Sequence, residues 1–133
     1  NVDSCDPRYS FHWIGQSDTV YVFEAPIDML SFLSLYRQNW KQHSYVALCG
    51  VAEHALMRLL TDAPHVNKIA LCLDNDKAGV QARERIQKHL TERGYQNVFS
   101  LFSNLKDWNE ELQALSKPPP EPAEEQQRVM QMG

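Results

Sequence analysis

Leu71-Cys72-Leu73-Asp74-Asn75-Asp76-Lys77-Ala78-Gly79 decides the reading of this chain: an unbroken apolar run stops at two aspartates one residue apart, and helical spacing begins directly after them. A short apolar run bounded by such a break reads as a strand buried on both faces, the kind found in parallel sheets. It delivers paired carboxylates to its own C-terminal end. A second run, Val20 to Phe23, ends the same way at Glu24, and Asp107 follows a further strand-like segment. Carboxylates carried to the ends of neighbouring strands can meet in space.

Working outward, strands are predicted over 19–24, 44–48, 68–73 and 97–102. Helical spacing falls between them. Residues 26–40 place Ile27, Leu30 and Leu33 on one stripe, broadened by Met29, Phe32 and Tyr36. A second helix is predicted over 52–61, and a third over 77–93, where Ala78, Ala82, Ile86 and Leu90 recur every four residues before Gly94. A short fourth helix follows over 107–115. Pro26 suits a first helical turn, Pro64 ends an element, and Gly50 breaks one. Strand and helix alternate with connections too long for hairpins, which predicts parallel strands, right-handed crossovers and helices on both faces. The expected fold is α/β, a three-layer sandwich around a mainly parallel four-stranded sheet in the order 2-1-3-4.

At 133 residues the chain has the length of one domain. Residues 18–115 are expected to form it. Residues 1–17 read as an extension or the end of a missing upstream domain: 8–15 is short and aromatic-rich, as a peripheral strand or the end of a preceding unit would be, and the chain starts at Asn1. From 116 to 133 the Pro- and Glu-rich composition is that of a disordered linker or tail. No apolar stretch approaches the roughly 20 residues of a bilayer span, so no membrane partner is expected. Three cysteines with no CxxC pair, two of them in apolar runs, favour a reducing cytoplasm. A formal charge of −4 argues against bulk attraction of a polyanion, so a nucleic-acid contact needs a local patch, a metal or a neighbouring domain.

In an open parallel sheet, ligands sit beyond the carboxyl ends of the strands where the order reverses. Glu24, Asp74, Asp76 and Asp107 fall at such ends. Clustered carboxylates repel one another, and a hard divalent cation both offsets the repulsion and takes oxygen ligands. Magnesium is the expected ion, with manganese as the alternative. A single aspartate after a strand is more often a helix cap, and Asp76 ahead of Lys77-Ala78-Gly79 can serve as one. Two acids bracketing Asn75 exceed what capping requires.

These residues resemble a known family. An apolar strand ending in Glu24-Ala25-Pro26-Ile27-Asp28, followed by one ending in Asp74-Asn75-Asp76-Lys77-Ala78-Gly79, is similar to the Toprim domain of primases, topoisomerases and related nucleases. Lys106-Asp107-Trp108-Asn109-Glu110 is similar to the Lys-Asp-x-Asn segment of phage-type primase-helicases, which narrows the likeness to the primase-like branch. The approach through Phe11 to Gly15 looks most like Toprim domains in large proteins of bacterial plasmids and conjugative elements. The resemblance implies that Glu24 is the catalytic acid or base, that Asp74, Asp76 and Asp107 bind Mg2+ or Mn2+, and that Asp28, Lys77 and Lys106 support them. It also implies nucleotidyl transfer or phosphodiester chemistry on nucleic acid, DNA above all, or on nucleotides. Ala25-Pro26 departs from the glycine common there and stiffens the loop beside Glu24. The alternative is a non-catalytic Toprim-type module that binds metal or nucleic acid, or acts as a scaffold, in a mobile-element protein.

Several other residues have both a functional and a structural reading. Lys77 and Lys106 can meet a phosphate or pair with the acids, and pairing is expected. Arg83, Arg85, Lys88 and Arg93 are expected on a solvated helix face, and Trp108 in the core. His54, His65 and His89 lack the spacing of a zinc site. A haloacid-type phosphatase also uses Asp-x-Asp, but wants Thr or Val where Ala78 stands.

Overall fold

The computed structural model describes residues 11–48 and 53–116. Expectations for 1–10, for 49–52, which include Gly50 and the start of the expected second helix, and for the tail from 117 lie outside the described residues. Five strands are present: β1 Phe11–Trp13, β2 Thr19–Phe23, β3 Ser44–Ala47, β4 Lys68–Leu71 and β5 Asn97–Ser100. The helices are α1 Pro26–Leu35, α2 His54–Asp62, α3 Lys77–Glu92 and α4 Trp108–Ser116.

The sheet order is β1-β3-β2-β4-β5. Strands β3, β2, β4 and β5 run parallel, which is the 2-1-3-4 arrangement, while β1 pairs antiparallel with β3. The four-stranded expectation is thus corrected to five, because the aromatic segment before Gly15 is itself an edge strand. Tight packing at Gly15 makes this possible: a Cβ there would stand 2.4 Å from the Gln42 carbonyl oxygen, and the Gly15 N–H donates to buried Ser44 Oγ at 3.0 Å.

Period-two alternation splits the strand side chains between two cores. Val20, Val22, Val46, Ile69 and Leu71 face α2 and α3, where they meet Leu56, Leu59, Ile86 and Leu90. Phe23, Tyr45, Ala47, Ala70 and Cys72 face the other layer, where they meet Met29, Phe32 and Trp108. Helices on both faces explain why the parallel strands read as continuous apolar runs.

Helix α1 departs from its expected stripe. Ile27 and Leu30 are more than half exposed, and the buried face carries Asp28, Met29, Ser31 and Phe32. The segment is apolar nearly all round, so periodicity did not select the face; the aromatic contacts of Phe32 with Tyr21, Phe23 and Trp108 do. The helix stops at Leu35 rather than near Trp40, since Asn39 adopts a left-handed conformation (φ 61°) ahead of a single 3-10 turn, Trp40–Gln42.

Candidate metal centre

Strand β2 delivers Glu24, and the chain just past β4 delivers Asp74 and Asp76, to the same carboxyl end of the sheet, because β2 and β4 are parallel, hydrogen-bonded neighbours. The Asp74 N–H donates to Glu24 Oε2 at 3.1 Å and joins the two motifs directly. Asp28 enters from the first turn of α1 and Asp107 from the residue before α4. The two helices are tied there, as the Asn109 N–H donates to Asp28 Oδ1 at 3.3 Å and Ser31 Oγ donates to Asn109 Oδ1 at 3.3 Å.

Five carboxylates result, in two overlapping trios. Glu24, Asp74 and Asp76 each offer an oxygen within 4.8 Å of the others, and Asp28, Asp74 and Asp107 do the same. Asp74 belongs to both. Among the described residues these are the groups of three that could hold a metal, and neither contains His or Cys. An all-oxygen donor set suits a hard cation such as Mg2+ or Mn2+ rather than zinc.

The electrostatics point the same way. Burial first, then Glu24, Asp28, Asp107 and Asp76, push Asp74 up to about 7. Burial and the Asp107 charge push Asp28 up to about 6, against the opposing bond from Asn109. Burial is also the main cause that raises Glu24. Asp74 Oδ1 is buried without a hydrogen-bond partner. A buried carboxylate oxygen with no donor is costly in a folded protein, and a cation would satisfy it. The residues therefore fit a divalent ion.

Two of the acids also cap helices. Asp76 Oδ1 accepts from the Gly79 N–H at 2.7 Å, and Asp107 Oδ1 from the Glu110 N–H at 2.8 Å. Each cap uses one oxygen and fixes the side chain's direction. Ligand and cap are thus compatible roles for one residue.

Lys77 and Lys106 depart from the expected pairing: both are exposed, and among the described residues neither forms an ion pair. Lys106 nonetheless lies close enough for its charge to favour the ionised forms of Glu24 and Asp28. Arg83 is a second correction. It is 5% exposed and donates to the carbonyls of Leu71 (2.7 Å), Leu73 (2.5 Å) and Leu101 (3.0 Å), with its guanidinium 4.2 Å from the centre of the Phe102 ring. On α3 it shares one buried stripe with Gly79, Ala82, Ile86 and Leu90. Arg85 pairs with Glu53 across α2 and α3. Trp108 is buried as expected, its indole N–H donating to the Cys72 carbonyl at 3.0 Å.

Sequence reasoning passed over Asn75 as a spacer. Its side chain donates to the carbonyls of Ser103 (2.7 Å) and Leu105 (2.6 Å), and its N–H to that of Lys106 (2.7 Å). A cleft of about 390 Å³ lies elsewhere, over the α1 and α4 face, lined by aromatic rings that include Tyr21, Tyr36, Tyr45 and Trp108. None of the five acids lines it.

The Toprim-like family model matches residues 21–112, which include all five acids. The chain is similar to an uncharacterized protein of Mycoplasma pneumoniae, 31% identical over 100 residues that make up 74% of this chain and 45% of that protein. An uncharacterized protein of Bacillus anthracis is 24% identical, over 83% of this chain and 36% of its own length. The chain thus spans less than half the length of these relatives. Among solved structures, the primase fragment of the bacteriophage T7 primase-helicase protein superposes with a TM-score of 0.60 at 24% identity, covering 90% of this chain and 44% of that one. A second T7 structure, a lagging-strand DNA polymerase interacting with primase domains bound to an RNA/DNA hybrid and dTTP, gives a TM-score of 0.57 at 21% identity, over 90% and 54% of the two chains. At these identities the structural likeness speaks for the fold. The acids at the strand ends, the sheet that carries them and the family model that spans them agree: this chain belongs to the Toprim-like family.

Proposed function

We propose that the chain, with residues 18–115 as its folded unit, is the Toprim domain of a longer, primase-like DNA-processing protein, and that Asp74, Asp76 and Asp107, supported by Asp28, hold Mg2+, or Mn2+ in its place, beside Glu24 as the catalytic acid or base. The observation that carries this reading is the convergence of two carboxylate trios on Asp74, one of whose oxygens is buried without a partner. A bound divalent ion supplies charge neutralisation and alignment of phosphate oxygens for displacement.

The protein's own groups have distinct tasks in this reading. Asp74 and Asp76 extend from the end of β4, and Asp107 and Asp28 from two helix starts, as oxygen ligands. Glu24 is held through one oxygen by the Asp74 N–H and has a raised pKa, which suits a group that moves a proton to or from a reacting oxygen. Lys77 and Lys106 are exposed beside the acids and contact phosphate. The substrate is nucleic acid, DNA foremost, with nucleotides as co-substrates in synthesis.

Template-directed primer synthesis and nuclease assays with Mg2+ on the full-length protein test the reading. Glu24→Gln is expected to lower turnover by roughly 100-fold or more, the scale of a general acid or base, while metal binding persists. The net charge of −4 favours a second reading, a non-catalytic module that binds metal or serves as a scaffold. Metal binding with neither activity in the full-length protein would select it.

A further inference from the structure

Of the five acids, Asp107 alone follows an edge strand, β5. Asp74 and Asp76 follow a central strand, Glu24 follows another, and Asp28 is buried in α1. Asp107 ends a connection between β5 and α4 in which Phe102 and Leu105 are 61% and 42% exposed, so apolar burial anchors it from the α4 side alone, through Trp108. Polar contacts hold the connection on its β5 side.

Those contacts have two origins. Within the connection, buried Ser103 and Glu111 are bonded to each other at 2.8 Å, and Ser103 Oγ donates to the Asp107 carbonyl at 3.0 Å. From the β4 side, Asn75 gives three bonds of 2.6–2.7 Å to Ser103, Leu105 and Lys106. Arg83 bridges the Leu71 and Leu73 carbonyls to that of Leu101, at the start of the same connection. One residue between the two aspartates thus grips the segment that presents the distant third.

We infer that Asn75 and Arg83 form a brace that sets Asp107 against Asp74, making Asn75 a positioning residue for the Asp28, Asp74 and Asp107 trio. The inference rests on the metal reading of the preceding section. The brace acts through the backbone of 101–106 and needs no contact between Asn75 and the ion. Loss of the Asn75 amide releases two carbonyls and lets Asp107 leave the trio, whereas α3 and the Asp76 cap stay intact.

The test is a double-mutant cycle read by isothermal titration of Mn2+ into the full 133-residue chain at pH 8. Asn75→Ala and Asp107→Asn are each expected to weaken Mn2+ binding by roughly tenfold or more, the scale of partners that support metal ligands. The double variant is expected to bind no more weakly than Asp107→Asn alone, because one residue acts through the other. Arg83→Lys, which keeps the charge but not the fork, is expected to give a smaller loss that also disappears in the Asp107→Asn background. Unchanged affinity in Asn75→Ala, or losses that multiply in the double variant, would overturn the brace while leaving the metal site standing. If Asn75→Ala fails to fold, Asn75→Ser takes its place in the same cycle. A wild-type chain that takes up no Mn2+ would remove the metal reading, and the brace with it.

Discussion

The carbonyl oxygen of Asp74 lies 2.0 Å from the place a Cβ would occupy on Gly79. Helix α3 starts so close to the end of β4 that no side chain fits between them. This contact lets the Asp76 cap reach the Gly79 N–H and keeps both aspartates at the carboxyl end of β4. Gly79→Ala cannot be absorbed by a flexible side chain, as the obstructing atom is backbone. A loss of about 2 kcal/mol or more is expected, at the upper end of overpacking costs, together with weaker Mn2+ binding. Urea denaturation and calorimetry on the same sample check both; a variant as stable as wild type would show that α3 can move away freely.

Asp74→Asn should destroy metal binding and yet stabilise the metal-free protein at alkaline pH. The folded-state value of about 7 lies above the ordinary 3.8. A carboxyl raised in this direction contributes stability that is fully present below about pH 4 and is lost as pH climbs through 7. Wild type at pH 8 without metal carries that loss and the asparagine variant does not. Because the side chain is only half-buried, solvent screening limits the gain to about 1 kcal/mol. Denaturant midpoints in EDTA at pH 5 and pH 8 decide the matter, and a variant less stable than wild type at pH 8 would contradict it.

Metal affinity should fall with acidity. Ligands must lose their protons to bind, and a single group titrating at about 7 gives roughly a tenfold weakening between pH 8 and pH 6. Asp28, at about 6, steepens the fall below pH 6. Mn2+ titrations at three pH values with constant ionic strength measure the slope. A flat profile would mean that Asp74 does not touch the ion.

Phe32 holds the two acid-bearing helices together. Its ring lies 5.0–5.2 Å from those of Tyr21, Phe23 and Trp108, and 4.8 Å from that of Tyr36. Phe32→Ala is expected to cost about 3–5 kcal/mol, the range for a large buried ring. Phe32→Leu, which keeps most of the volume, should cost far less. Thermal unfolding of the two variants separates lost volume from lost ring contacts.

The parallel sheet and four of the five acids were legible because each signal was local: an apolar run, then a charge, then a helical repeat. Glu24, Asp74, Asp76 and Asp107 all sit at strand or helix ends, where a single sequence window holds the whole pattern. The buried face of α1 was not legible, since Ile27, Leu30, Met29 and Phe32 are all apolar and only packing against β2 chooses among them. Nor were Asn75 and Arg83, whose partners are carbonyls about 30 and 10–18 residues away. A backbone oxygen leaves no mark in a sequence. The fifth strand lay between these cases: its aromatic residues were visible, while its partner β3 depends on the close approach at Gly15.

The three tryptophans fall into two optical populations. Trp13 and Trp40 are 5.2 Å apart at the β1 edge, where Trp13 Nε1 bonds the Lys41 carbonyl. Trp108 is alone in the interior, one residue from Asp107 and bonded to the chain that leads into Asp74. Its emission is expected to change if the proposed cation binds, and the coupled pair to give an exciton signal in circular dichroism that follows the sheet margin separately. The placement of the three indoles thus offers a label-free gauge for the acidic cluster, should it take up the proposed ion, with an independent reference at the periphery.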